Sequence, residues 1–193
     1  HNVTLGSFYI CETQVTQKLW KTIMGNNPSK VKDDNNPVTN VSWYDCQYFI
    51  KKLNDITGME FRLPTEAEWE FAAKGGQKGK HNGYKYSGSN TITSIMWYSK
   101  NSENHPHEVS LKKSNEIGLY DMSGNIWEWC SDWYAPYDIN PSFNPKGPLD
   151  GVDKICRGGS FLSEAKECRV TIREKDSPNE SSEDMGFRLV ISA

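Results

Sequence analysis

Three stretches in the first 76 residues repeat apolar positions at helical spacing, each bracketed by residues that start and stop helices. In "VTQKLWKTIMG", Leu19, Trp20 and Ile23 share one face behind Thr16, whose hydroxyl can take up first-turn amides, and Gly25 supplies the stop. A second helix is predicted behind Ser42, with Asp45 placed to answer free amides. Its apolar positions are Cys46, Phe49, Ile50, Leu53 and Ile56, and it ends at Gly58. The third opens in "RLPTEAEWEFAAKGG", where Thr65 and Glu68 form a capping box. Glu66 and Glu70 suit the positive end of that helix, and Gly75-Gly76 is expected to end it. Between the first two lies "NNPSKVKDDNNPVTNV", a loop by its Asn, Asp and Pro content.

After residue 76 the helical period disappears. Gly, Asn, Ser and Pro recur every few residues and apolar runs are short, so loops and short strands are expected. Such loops need ties: buried Trp, capped turns, buried Arg or a metal ion. Composition supports a folded chain held this way, with 36% hydrophobic and 12% aromatic residues, among them seven Trp and nine Tyr. At 193 residues, one domain over the whole chain is expected.

Charge and cysteine spacing narrow the chemistry. A net charge of -3 gives no basic field, which argues against nucleic acid as a partner. No run approaches the roughly 20 apolar residues of a membrane span. Five cysteines (Cys11, Cys46, Cys130, Cys156, Cys168) stand far apart without a CxxC pair, so a zinc ribbon or a thioredoxin-type motif is not expected. The opening residues hold neither a charged n-region nor an apolar h-region, and an exported location (periplasmic, cell-surface or extracellular) is the expectation.

Three segments carry a resemblance: "FRLPTEAEWEFAAKGG" (61 to 76), "GLYDMSGNIWEWCSDWY" (118 to 134), and "RGGSF" (157 to 161) with "MGFRLV" (185 to 190). In this order they resemble the formylglycine-generating enzyme, or sulfatase-modifying factor, family, and "FYICETQVTQKLW" and "NPVTNVSWYDCQYF" are similar to its opening segments. The resemblance implies an α+β variant of the C-type lectin fold with little regular secondary structure. It also implies an activity, the conversion of a substrate cysteine to formylglycine with oxygen and a copper ion held by two thiolates.

Aligned on "GGS", the two thiolate positions fall at Ser163 and Cys168, and Ser160 is retained. Copper(I) prefers soft sulfur, and a serine hydroxyl is a hard, protonated oxygen, so copper is not expected. The family's Asn before "GFR" is matched by Asp184, with Met185 between, and the segment after Cys168 is shorter than in catalytic members. Cys168 otherwise reads as a small buried hydrophobe. Cys130 or Cys156 could replace the missing ligand only if the fold brought them close.

The resemblance also implies a structural calcium site in "DMSGNIWE", using the side chain of Asp121, the carbonyls of Gly124 and Ile126, and the carboxylate of Glu128. Calcium takes six to eight hard oxygens, and a glycine turn can present carbonyls inward. The alternative is a tight turn at Asp121 and Gly124, with Glu128 on amides or an arginine. The family's second calcium site is not expected, because segment 99 to 115 lacks the Asp it needs.

Other candidates read as structural. His105 and His107 lack a third metal ligand, and Glu66, Glu68 and Glu70 suit capping. Arg157 and Arg188 suit loop carbonyls and carboxylates, and Trp127, Trp129 and Trp133 suit the core. Asn2, Asn40 and Asn179 lie in N-x-S/T sequons, which matter only in a glycosylating pathway.

Two functions remain open. One is a non-catalytic binding or accessory module, a pseudoenzyme presenting "SFLSEAKEC" and "EKDSPNESSEDMG" to a protein, peptide or glycan. The other is a divergent copper-dependent oxidase. A diversified receptor on the same fold would carry an Asn-rich variable terminus, which is only weakly present here.

Overall fold

Each long helix begins where a side chain takes up its first amides. The structure, a computed structural model, describes residues 2 to 137, 140 and 142 to 193. Helix α1 (Gln17–Met24) is capped by the Thr16 hydroxyl, which accepts the Leu19 N–H at 3.3 Å, and ends at left-handed Gly25. Helix α2 (Trp43–Thr57) and helix α3 (Glu66–Ala73) both start with complete capping boxes, Ser42 with Asp45 and Thr65 with Glu68.

Three details depart from the pattern read above. Leu19 is 37% exposed, because the inward face of α1 is taken by Trp20, which stacks on Phe49 at 5.2 Å and meets Phe187 edge-on. Ile56 is 67% exposed, since the last turn of α2 runs past the core that Phe49, Ile50 and Leu53 enter. The third helix ends at Ala73, before left-handed Gly75 (φ 82°), as expected, but an unanticipated single helical turn, Gly76–Gly79, follows.

The strands are short and pair across long sequence distances. β1 (Val3–Thr4) pairs in parallel with β5 (Ser142–Phe143). In a three-stranded antiparallel sheet, β9 (Val190–Ser192) runs between β2 (Phe8–Ile10) and β3 (Phe61–Arg62). The largest sheet has the order β7 (Arg173–Asp176), β6 (Lys154–Arg157), β4 (Trp127–Trp133), β8 (Met185–Gly186).

One apolar cluster packs α1 and α2 on Trp129, Cys156 and Phe187. A second groups Trp69 with Met122, Cys130 and Ile155, and a third holds Ile95, Met96, Tyr98 and Cys168. The expected ties are present. Arg157 is fully buried, binds Glu70 and the carbonyls of Val170 and Ile172, and lies over the Trp69 ring. Among the described residues no helix is long and apolar enough to cross a membrane.

Candidate functional site

The "RGGSF" loop turns through two left-handed glycines, Gly158 at φ 102° and Gly159 at φ 75°. A Cβ on Gly159 would lie 2.6 Å from Cys168 Sγ, so glycine lets the loop rest directly on Cys168. Beyond it, the Ser163 hydroxyl accepts the Ser160 N–H at 3.0 Å and sits 3.3 Å from Ser160 Oγ. Ser160 Oγ in turn donates to Asp184 at 2.7 Å, and the other oxygen of Asp184 accepts the Ser182 hydroxyl at 2.7 Å. Ser160, Ser163 and Asp184 therefore form one hydrogen-bonded group that ties the loop to the chain entering β8.

Cys168 is placed differently. It is buried in the third apolar cluster, its Sγ is 3.7 Å from the Glu164 carbonyl, and burial raises its pKa to about 12. A hydroxyl already used within a turn and a buried, protonated thiol are not a soft two-sulfur donor set, so these residues do not fit copper(I). All five cysteines are free thiols, and Cys130 and Cys156 lie in the other two clusters, where neither supplies a replacement. No group of three His, Cys, Asp or Glu that could hold a metal occurs among the described residues.

His105 and His107 help pack their loop. The His107 ring stacks on Trp97 at 3.7 Å, contacts His105 at 4.4 Å and hydrogen-bonds the Ser102 carbonyl at 2.9 Å. Burial lowers its pKa.

The 121-to-128 segment forms a tight turn with Asp121 at φ 58° and Gly124 at φ 78°. Gly124 has no room for a side chain, since its Cβ would fall 2.1 Å from the Trp97 carbonyl oxygen. Glu128 emerges into β4 wholly buried and meets four donors. Arg188 contributes Nε at 2.7 Å and Nη2 at 2.8 Å, the Trp69 indole N–H lies at 2.7 Å, and Gln14 Nε2 lies at 3.0 Å. Arg188 uses all its N–H groups, the remaining ones on the carbonyls of Cys11, Glu12 and Tyr120.

Of the four positions set out for calcium, Glu128 is thus committed to an arginine, and the Ile126 carbonyl accepts Gln14 Nε2 at 3.3 Å. Gly124 holds the turn by donating its N–H to the Gly158 carbonyl at 2.9 Å. Asp121 Oδ2 accepts the Ser110 N–H at 2.9 Å, while Oδ1 is buried without a partner. Burial raises the Asp121 pKa to about 6. One orphan oxygen suits a cation, but the Glu128 carboxylate and the Ile126 carbonyl are already engaged, so the four residues together do not fit a calcium ion. Gln14 and Asn125, which build this arrangement, carry no charge and sit in no metal-like spacing, so nothing in the sequence singled them out.

The acidic residues of α3 are structural. Glu66 pairs with Arg173, Glu68 pairs with Arg62 through two 2.7 Å contacts, and Glu70 pairs with Arg157 and Lys74. Trp129 is fully buried, Trp127 packs against the same cluster, and Trp133 flanks the Lys154 ammonium opposite Trp43.

Hollows mark the surface formed by the described residues. A groove of about 1300 Å³ lies between residues 3 to 8, α3 and residues 132 to 137 and 142 to 148, where Glu66 and Arg173 already satisfy one another. A smaller depression of about 190 Å³ adjoins the family loop and joins Lys30, Val31, Thr39, Asn104, Phe161 and Glu183. The smaller one matters more here, because it brings the "RGGSF" loop and the segment before β8 together.

Compared with known families, residues 1 to 193 match the Sulfatase-modifying factor enzyme 1-like domain from end to end. The chain belongs to the sulfatase-modifying factor family. It is 34% identical over 241 residues to the Chaperone protein LppX of Paenibacillus barcinonensis, covering 99% of this chain and 82% of that protein. It is also 34% identical over 193 residues to the formylglycine-generating enzyme of Streptomyces coelicolor, covering 90% of this chain but only 58% of the enzyme. Among solved structures, Treponema denticola variable protein 1 superposes with a TM-score of 0.93 at 35% identity, covering 99% of this chain and 86% of that one. The expected formylglycine-generating-enzyme-like, C-type-lectin-related α+β fold is the observed one.

Proposed function

We propose that this family member is a non-catalytic binding module that presents its 160-to-168 and 174-to-186 segments to a protein, peptide or glycan. The observation that carries the reading is the use of Ser163: its hydroxyl accepts the Ser160 N–H and closes the turn. Oxidation of a peptide thiol through copper needs two accessible thiolates, and this chain offers a hydroxyl and a thiol raised to about 12 by burial. The names of the relatives are consistent with one scaffold in several roles, since one is called a chaperone protein, another a variable protein and another an enzyme.

The binding face follows from the same loops. Leu162 is exposed beside Phe161, and the depression at Phe161 and Glu183 gives a ligand a concave contact next to that apolar side chain.

Copper(I) titration of the reduced protein, with oxygen uptake on a cysteine-containing sulfatase-motif peptide, tests the proposal. We expect no tight 1:1 copper binding and no turnover. Observation of both would establish the oxidase alternative instead.

A further inference from the structure

We infer that the side-chain amide of Gln14 stands where the family's structural calcium site would put its ion, so that this chain closes its 121-to-128 turn without a metal. The orientation of the amide decides the point, and a chain of hydrogen bonds fixes it. The backbone N–H of His107 can only donate, and it points at the Asn125 side chain at 3.0 Å, so Oδ1 must face it. Asn125 Nδ2 then lies on the other side, donating to the His107 carbonyl and to Gln14 Oε1, both at 3.1 Å.

That leaves Gln14 Nε2 aimed the opposite way. It faces the Asp121 carbonyl at 3.3 Å, the Ile126 carbonyl at 3.3 Å and Glu128 Oε1 at 3.0 Å. Two of the four oxygens set out for calcium, the Ile126 carbonyl and a Glu128 carboxylate oxygen, thus converge with the Asp121 backbone carbonyl on one nitrogen that bears two hydrogens. Gln14 is 1% exposed and Asn125 fully buried, so neither amide can swing out to water.

A cation at this point would face two conflicts. Gln14 would have to turn its oxygen inward, setting its NH2 against the NH2 of Asn125, two donors with no acceptor between them. The charge of Glu128 is already matched by Arg188 through paired contacts at 2.7 and 2.8 Å, which removes most of the attraction for a divalent ion. The unpartnered Asp121 Oδ1 and the Gly124 carbonyl are two oxygens, well short of the six to eight that calcium takes.

Thermal melts of the 193-residue chain, in chelator and in calcium, test the inference. For the wild type the two curves should coincide, and a rise with calcium would overturn the assignment. Gln14→Glu replaces the donor with a carboxylate oxygen and completes an oxygen-lined cavity. It should melt lower in chelator and gain roughly 5–10 °C at calcium a hundredfold above its Kd. Indifference of that variant to calcium would also overturn the assignment. If Gln14→Glu does not fold, the ¹⁵N spectrum of the wild type decides: a Gln14 NH2 pair protected from exchange and unmoved by calcium supports the inference, and its displacement by calcium rejects it.

Discussion

Arg188 meets Glu128 side-on, Nε to Oε2 at 2.7 Å and Nη2 to Oε1 at 2.8 Å, and neither side chain is exposed. The pair joins the strand that follows the glycine turn to the last segment of the described chain. It also draws in the Trp69 indole and the backbone of residues 11, 12 and 120. Removing one partner strands the other as a buried charge. Arg188→Met is expected to cost roughly 3–5 kcal/mol in urea denaturation. A loss below about 1 kcal/mol would mean that the carboxylate finds other partners or water.

Ser163 should matter to stability. Its hydroxyl is the acceptor for a buried backbone N–H, and Ser163→Ala leaves that N–H unmet. The expected cost is about 1–3 kcal/mol, read from the urea midpoint. A variant as stable as the wild type would remove the structural role assigned to this hydroxyl.

Thiol chemistry separates the cysteines. Cys46, Cys130, Cys156 and Cys168 are buried and desolvation raises the pKa of each, while Cys11 is partly exposed. With an aromatic disulfide reagent near neutral pH, the native protein should release at most one equivalent of chromophore. The unfolded protein should release five, the number of cysteines in the chain. Rapid native labelling of Cys168 would argue for an accessible family site.

Asp132 supplies a pH signature. It is 5% exposed, accepts the Glu66 N–H at the start of α3 and the Ser131 hydroxyl, and burial raises its pKa to about 6. A carboxyl whose folded pKa lies above its unfolded value favours the folded state fully below about pH 4 and loses that contribution as pH rises through about 6. Asp132→Asn keeps an acceptor and removes the charge. Its stability relative to the wild type should therefore grow between about pH 4 and pH 7, by up to roughly 3 kcal/mol. A difference that stays flat with pH, measured by urea midpoints, would rule this out.

What the sequence made readable was local. The Thr16, Ser42 and Thr65 caps are each decided within three residues, and the helices start where those caps put them. The fold class and the ordered motifs came through the family resemblance, because whole segments stand in register. The strands were hidden for a physical reason: a two-residue strand such as Phe61–Arg62 has no period of its own and exists through Val190 and Ile191 across the fold. At 121 to 128 the sequence offered both a calcium site and a tight turn with Glu128 on an arginine, and the partners that separate the two, an arginine 60 positions on and an uncharged glutamine 114 positions back, are distant in the chain. The glutamine carries no local mark of that role.

The middle strand of the three-stranded sheet, β9, is synthesised after both of its neighbours, and β8 joins β4 only after residue 184. A nascent chain that has emerged only to residue 184 therefore lacks the Glu128–Arg188 pair and the central strand, however completely its helices have formed. Folding of this domain is consequently a late closure, in which early residues wait for late ones. Ribosome-stalled chains exposed only to residue 184 should remain protease-sensitive where chains exposed through residue 193 resist.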